Sequence, residues 1–192
     1  MVNYKLNIKK DIKKNKKNII DVGSGKGENT LFLAKKNPDA LIVAIEIFWD
    51  GNINLCKQLS KLKLYNVKIF SSNVLKLFNY LNKDDYFNEI WILFPDPWPK
   101  KKHHKRRLIN DNFFIEVYPF LKRNGKIFIA TDSSSYLKSI MNSIYKTKSL
   151  FNWLNTKPQD WIYEMLDLPS TNFFKKAKNS NRTSFFIELT KI

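Results

Sequence analysis

Cysteine, glycine and acidic residues are all scarce in this sequence, and each shortage narrows the possibilities. Cys56 is the only cysteine in 192 residues, so no internal disulfide can form and no thiolate metal cluster is expected. Asp and Glu number 17 against 34 Lys and Arg, a net charge of +17. Such an excess predicts a polyanionic partner, either nucleic acid or an anionic membrane surface. Part of it follows from a chain rich in Lys, Asn and Ile throughout. No apolar run approaches the roughly 20 residues of a membrane span. The opening MVNYKLNIKKDIKKNKK lacks the apolar centre of a secretory signal. A cytoplasmic protein without a membrane partner is expected.

What remains is an ordinary globular composition, with 43% hydrophobic and 15% aromatic residues. That is enough to bury one proper core. Residues 1–17 read as a basic N-terminal tail or short docking arm, and residues 18–192 as a single domain. Within that domain, short apolar runs alternate with segments of helical spacing. Strands are predicted over 18–22, 41–45, 67–70, 90–94 and 126–130, with helices over 30–36, 48–64, 73–81, 111–120 and 136–145. Asp111 is the expected cap of its helix, and Asn124-Gly125 the expected end of it. Alternating strands and helices imply a doubly wound, mostly parallel α/β sheet with right-handed crossovers. Two further strands, over 151–154 and 183–189, make seven and suggest an antiparallel C-terminal edge.

Three of the five glycines are concentrated in one turn, Gly23, Gly25 and Gly27, between the first strand and its helix. Glycines there let the backbone turn sharply and approach a ligand. The spacing is GxGxG. The dinucleotide fingerprint GxGxxG needs its third glycine where Glu28 stands, and no Walker-type Gly-Lys-Ser/Thr is present. A carboxylate at Glu28 also opposes a pyrophosphate at the helix start. The ligand is therefore expected to carry an adenosine with little negative charge. Glu46 closes the second strand, where a carboxylate grips both ribose hydroxyls. Asn73, past the third strand, can read an adenine edge through its amide. S-adenosylmethionine fits this profile, with Asp21 and Asp96 suited to its ammonium and sulfonium charges. Asp21 also reads as a strand-end or capping residue.

The stretch WILFPDPWPKKKHHKRR, residues 91–107, is the most informative. Pro95, Pro97 and Pro99 fix alternate φ angles and stop both helix and ladder. The product is a stiff loop at the carboxyl end of a strand, presenting Asp96 and Trp98. From 100 to 107 every residue is Lys, His or Arg. Trp98 can stack on a base or pack beneath the loop. Arg107 can meet a phosphate or pair with a carboxylate under the loop. His103 and His104 lack the accompanying acids or thiols of a metal site, so no metal is expected.

In order and spacing, DVGSGKG, AIEI, FPDPWPKKKHHKRR and TDSSSY resemble the bacterial tRNA (guanine-N7-)-methyltransferases from about Ile19 to the C-terminus. Those are class I S-adenosylmethionine-dependent enzymes that methylate a guanine in the variable loop of tRNA. The resemblance implies cofactor contacts at Asp21, Gly23, Gly25, Gly27, Glu46, Asn73 and Asp96, with Asp96 as the catalytic acid. It implies substrate contacts at Lys100, Asp132 and Thr171, and RNA contacts at Lys102, His103, His104, Lys105, Arg106 and Arg107. Two departures stand out. The family's Thr-x-(Phe/Tyr)-Glu motif reads Thr171-Asn172-Phe173-Phe174 here, replacing a charged acceptor with a ring. Residues 1–17 are also shorter than the region that relatives carry before the first strand.

Guanine N7 bears a lone pair and no proton, so the expected demands are positioning and a field that tolerates a cationic purine. The competing readings are a catalytically silent RNA-binding module of the same fold and another RNA base methyltransferase. Both a monomer and a homodimer are compatible with the sequence.

Overall fold

The computed structural model describes residues 4–83, 86–163 and 168–192. Seven strands form one sheet: β1 (Asn18–Val22), β2 (Leu41–Ile45), β3 (Val67–Phe70), β4 (Phe87–Leu93), β5 (Leu121–Thr131), β6 (Phe151–Trp153) and β7 (Phe185–Lys191). Their order is β3-β2-β1-β4-β5-β7-β6. The strands β1 to β5 pair in parallel, β7 runs antiparallel to β5, and β6 runs antiparallel to β7. The helices are α1 (Tyr4–Lys14), α2 (Glu28–Lys36), α3 (Trp49–Leu62), α4 (Val74–Tyr80), α5 (Asp111–Val117), α6 (Ser134–Lys146) and α7 (Asn172–Asn179). Every residue of β1 and β2 is buried, the mark of parallel strands covered on both faces. This is the doubly wound sheet with an antiparallel edge that the sequence predicts.

The chain order reverses at the middle of the sheet. It steps outward from β1 to β2 and β3, then returns to place β4 on the other side of β1. The register Val22↔Ile92 sets the carboxyl ends of β1 and β4 level. The glycine turn and the proline loop therefore emerge side by side. Such a switch point leaves a crevice that open α/β sheets use for ligands.

Three features refine or correct the expectations. Within residues 1–17, Tyr4–Lys14 form the helix α1, whose Ile8 and Ile12 are buried in the main core cluster, as a docking arm would be. An apolar pair one turn apart gives it a face to dock. Next, Asn124-Gly125 lies inside β5 instead of ending a helix. Pro119, which offers no amide donor, already turns the end of α5 into a 3-10 turn over Tyr118–Phe120. Asn124 then adopts φ 59° in an irregularity where the single residue Asn88 of β4 stands opposite residues 122–125 of β5. Third, Asn110 caps α5 by accepting from Phe113 N at 3.0 Å. Asp111, in the first turn, pairs instead with Lys146 at 2.8 Å.

Candidate active site

The glycine turn is built by the end of β2. Gly23 N and Ser24 N donate to the Ile45 carbonyl at 2.8 and 3.0 Å. All three glycines hold positive φ: 71° at Gly23, 55° at Gly25 and 92° at Gly27. At Gly27 a Cβ would lie 2.5 Å from Leu55 Cδ1, so close helix packing demands glycine there. At Gly23 the same atom would meet nothing within 4 Å, because that backbone faces open space.

That space is a cleft of about 480 Å³, within the usual range for small-molecule sites. Its walls bring together Gly23, Gly25, Glu46, Asn73, Asp96 and Trp98 from four separate loops. Glu46 is almost buried, and its carboxylate accepts from Gly25 N at 2.9 Å, Ile47 N at 2.7 Å and Phe48 N at 2.9 Å. It thus anchors the glycine turn as well as lining the cleft. Asn73 caps α4 through its Oδ1, which accepts from Lys76 N at 2.9 Å. Its side-chain NH2 remains available as a donor.

Beneath the glycine turn lies a small recess lined by Asp21, Ser24, Asn29 and Thr171. Asp21 is 2% exposed and accepts from Asn29 Nδ2 at 2.8 Å and Thr30 Oγ1 at 2.5 Å. Burial pushes its carboxyl up to about 6, against the lowering effect of the Thr30 and Asn29 hydrogen bonds; the Glu46 charge adds to the rise. Ser24 Oγ and Asn29 Oδ1 are buried there without a hydrogen-bond partner among the described residues. Two orphaned oxygens beside a buried carboxyl form an acceptor-rich pocket, suited to a cationic donor and not to phosphate.

Asp96 is exposed on the proline loop and lines the same cleft as Gly23 and Glu46. The loop is strained at both shoulders, with φ 54° at Phe94 and 42° at Trp98. Phe94 N still donates to the Ala130 carbonyl of β5 at 2.8 Å, holding the loop's first shoulder to the sheet. Arg107 holds the second. It is 4% exposed, and its Nε donates to the Pro97 carbonyl at 2.8 Å. Its other nitrogens donate to the Ser135 carbonyl at 3.1 Å and Ser135 Oγ at 2.9 Å. His104 Nε2 lies 3.1 Å from the same guanidinium and, since arginine only donates, serves as acceptor. Arg107 is therefore removed from the RNA-facing set: it is buried beneath the loop, and its partners are two carbonyls, a hydroxyl and the His104 ring instead of a carboxylate. Burial also lowers its pKa from the usual arginine value.

The rest of the basic run faces outward. Residues 101–106 form a 3-10 helix in which Lys101, Lys102, Lys105 and Arg106 are exposed, as is Lys100 before it. His103 and His104 are half-buried. Arg106 sits 4.9 Å from the Trp98 ring centroid, and His103 meets that ring edge-on at 5.8 Å. Trp98 is thus both packed by these neighbours and part of the cleft wall.

The remaining substrate candidates lie on the C-terminal side. Asp132, after β5, is paired with Arg182 at 2.7 Å. Thr171 is buried and caps α7, accepting from Phe174 N at 3.1 Å. Phe174 packs on Tyr163 at 4.7 Å and Phe94 at 6.5 Å, so its ring supports the root of the proline loop. Phe173 instead stands 51% exposed at the junction of cleft and recess, with its ring over Gly25. Glu28 accepts from Asn172 N and Nδ2, tying α7 to the start of α2. Phe173, Arg182 and Asn172 were not foreseen. Phe173 lay within a recognisable motif, whereas no spacing rule relates Arg182 to Asp132 or Asn172 to Glu28. Among the described residues, no cluster of three or more His, Cys, Asp or Glu could hold a metal ion, and no helix is long and apolar enough to cross a membrane.

A family model described as "Putative methyltransferase" matches residues 15–187. A tRNA (guanine-N(7)-)-methyltransferase of Buchnera aphidicola subsp. Baizongia pistaciae is 35% identical over 138 residues, covering 72% of this chain and 57% of that protein. The enzyme of the same name from Buchnera aphidicola subsp. Schizaphis graminum is 33% identical over 169 residues, covering 87% of this chain and 69% of that protein. A Streptococcus mutans structure described as "a putative methyltransferase" in complex with SAH superposes with a TM-score of 0.59 at 12% identity, covering all of both chains; that likeness concerns the fold. On the matched length and these identities, the chain belongs to the tRNA (guanine-N7-)-methyltransferase family.

Proposed function

We propose that this chain transfers the methyl group of S-adenosylmethionine to N7 of a guanine in the variable loop of tRNA. One observation carries the reading: an exposed carboxylate on a clamped proline loop, Asp96, shares one cleft with the glycine turn, Glu46 and Asn73. The names borne by the relatives supply the substrate class.

The residues present fit the cofactor. Glu46 suits the ribose hydroxyls, and the Asn73 amide suits the adenine edge. The recess of Asp21, Ser24 and Asn29 suits an ammonium group, since it offers acceptors and no donor that requires an anion. Gly23, Gly25 and Gly27 let the backbone approach closely, and Glu28 at the start of α2 disfavours a phosphorylated ligand. When bound, the cofactor supplies an electrophilic methyl group on a sulfonium centre.

Methylating N7 needs no proton removed from it, so Asp96 is not required as a base. It acts as anchor and field. Its carboxylate accepts from the N1–H and N2–H2 edge of guanine, and its negative charge favours the purine as that ring turns cationic. Such oriented charge commonly contributes several kcal/mol to a barrier. Lys100 and Asp132 flank the base, and Thr171 fixes the segment that carries Phe173. Lys102, Lys105 and Arg106 meet phosphates, with His103 and His104 beside them. The site works in the aqueous interior of the cell, where unmodified tRNA is found.

The test is direct. The full chain is incubated with methyl-labelled S-adenosylmethionine and unmodified tRNA, and the RNA is digested to nucleosides. Label in 7-methylguanosine is the expected result. Label in another nucleoside assigns a different RNA base. Binding of tRNA without label leaves a silent RNA-binding module.

A further inference from the structure

We infer that α7 carries a second phosphate-binding surface, so that the RNA is held on two sides of the cleft and not by the 100–106 segment alone. The inference rests on the tRNA reading above. Its basis is a cluster of cations that belongs to no site described so far. Lys175, Lys176 and Lys178 are all exposed on a helix of eight residues, Asn172–Asn179, and Arg182 follows it, also exposed. The helix buries only Ala177 and, partly, Phe174, so its remaining perimeter faces solvent. No acid lies within residues 168–187, and the next one along the chain, Glu188 of β7, pairs with Lys126.

The position matters as much as the charge. The first turn of α7 is fixed to the cofactor side of the cleft, through Asn172 on Glu28 and Phe173 over Gly25. Its far end is fixed to the neighbouring strand, through Arg182 on Asp132 at 2.7 Å. The helix therefore lies along the rim between the glycine turn and the end of β5. Of the two carboxylates it meets, Asp132 is neutralised by Arg182, and Glu28 is turned to Asn172 at the first turn of the helix, away from Lys175, Lys176 and Lys178 in sequence. Lys176 Nζ lies 5.6 Å from the Phe173 ring centroid, so cation and exposed ring form one edge at the cleft mouth. A flat base entering beside Phe173 would carry its own phosphate toward Lys175 and Lys176. On the proline-loop wall, Arg106 over Trp98 makes the same pairing of cation and ring. Stacking surfaces combined with cations are how single-stranded, splayed nucleotides are held.

The test compares tRNA affinity across a salt series for the parent chain and three variants. In the first, Lys175→Gln, Lys176→Gln and Lys178→Gln are combined. In the second, the same three positions become Arg. The third is Lys101→Gln, Lys102→Gln and Lys105→Gln. Loss of three phosphate contacts should weaken binding on the order of tenfold or more and reduce the log–log salt slope by about 2 to 3. The Arg variant should keep the parent's slope, and turnover at saturating tRNA should be unchanged in both α7 variants. An α7 Gln variant with the parent's affinity and slope, while the third variant loses both, overturns this proposal alone. Equal losses in the Gln and Arg variants, with lowered urea midpoints, overturn it as well, since they reveal a folding defect. A parent chain with no salt-dependent tRNA binding overturns both this proposal and the reading beneath it.

Discussion

Asp96 in the cleft and Asp21 in the recess beneath the glycine turn differ in burial, and the difference separates their roles. Asp96 is exposed and has no hydrogen-bond or ion-pair partner among the described residues, so its oxygens are free for a base. Asp96→Asn should lower single-turnover methyl transfer on the order of a hundredfold and leave cofactor affinity nearly intact. Unchanged transfer would remove Asp96 from the chemistry. Asp21 is the buried one, raised to about 6 chiefly by desolvation. The sign follows from proton counts. Between pH 4 and 6 the folded state holds this proton more tightly than the unfolded state. The contribution to stability is complete below the unfolded value and is lost as pH rises through about 6. A rise from the ordinary aspartate value to about 6 corresponds to roughly 3 kcal/mol. Asp21→Asn should therefore stabilise the cofactor-free protein at pH 8 relative to pH 5, as urea unfolding at both values will show. The same change should weaken S-adenosylmethionine binding at pH 8 and flatten its pH dependence. Parallel urea curves for variant and parent would contradict the account. The sequence pointed to both acids, but could not say which of them was dry.

At the scale of elements, the proline loop is a corner under strain, and something must hold it. Two non-glycine residues at positive φ cost on the order of 1 kcal/mol or more each. Arg107 offsets this by binding the Pro97 carbonyl and by tying the loop to Ser135 at the start of α6. Arg107→Met should lower the rate of methyl transfer while tRNA affinity and its salt slope stay at parent values. A phosphate contact would give the reverse pattern. Loss of these part-buried hydrogen bonds should also cost on the order of 1 kcal/mol or more in a urea titration. Charge patterning alone could not separate Arg107 from Arg106. Neighbours in sequence point in different directions once a 3-10 helix starts, and here one goes to the core while the other goes to the cleft. Phe174 presents the same lesson. It stands where relatives are expected to hold an acid, and its ring joins Phe94 and Tyr163 under the loop, so the acceptor is replaced by packing.

For the whole molecule, α1 is part of the fold. Ile8 and Ile12 join the cluster that contains Ile20, Val43 and Phe70. Ile12→Ala should destabilise the protein by about 2–5 kcal/mol, the usual cost of a buried cavity. An Ile12→Ala variant as stable as the parent would show that α1 only lies against the surface. The basic composition concealed this role, because the few apolar residues of α1, set among many lysines, leave little periodic signal. Net charge is likewise a property of the whole chain. The figure of +17 says that a polyanion is attractive, but not where it lands.

The sequence by itself determined the alternation of strands and helices, the parallel sheet with its reversed edge, the glycine turn and the acid-bearing proline loop. Each of these depends on local spacing, on residues that fix φ, or on apolar runs that must be buried. Only the tertiary structure decided which polar groups face the cleft. Asp132 meets Arg182, Glu28 meets Asn172 and Arg107 meets Pro97 across long or irregular separations. Those pairings depend on how α7 and the loop after β4 pack against the sheet. Packing is set by the fit of many side chains at once, which no local pattern contains.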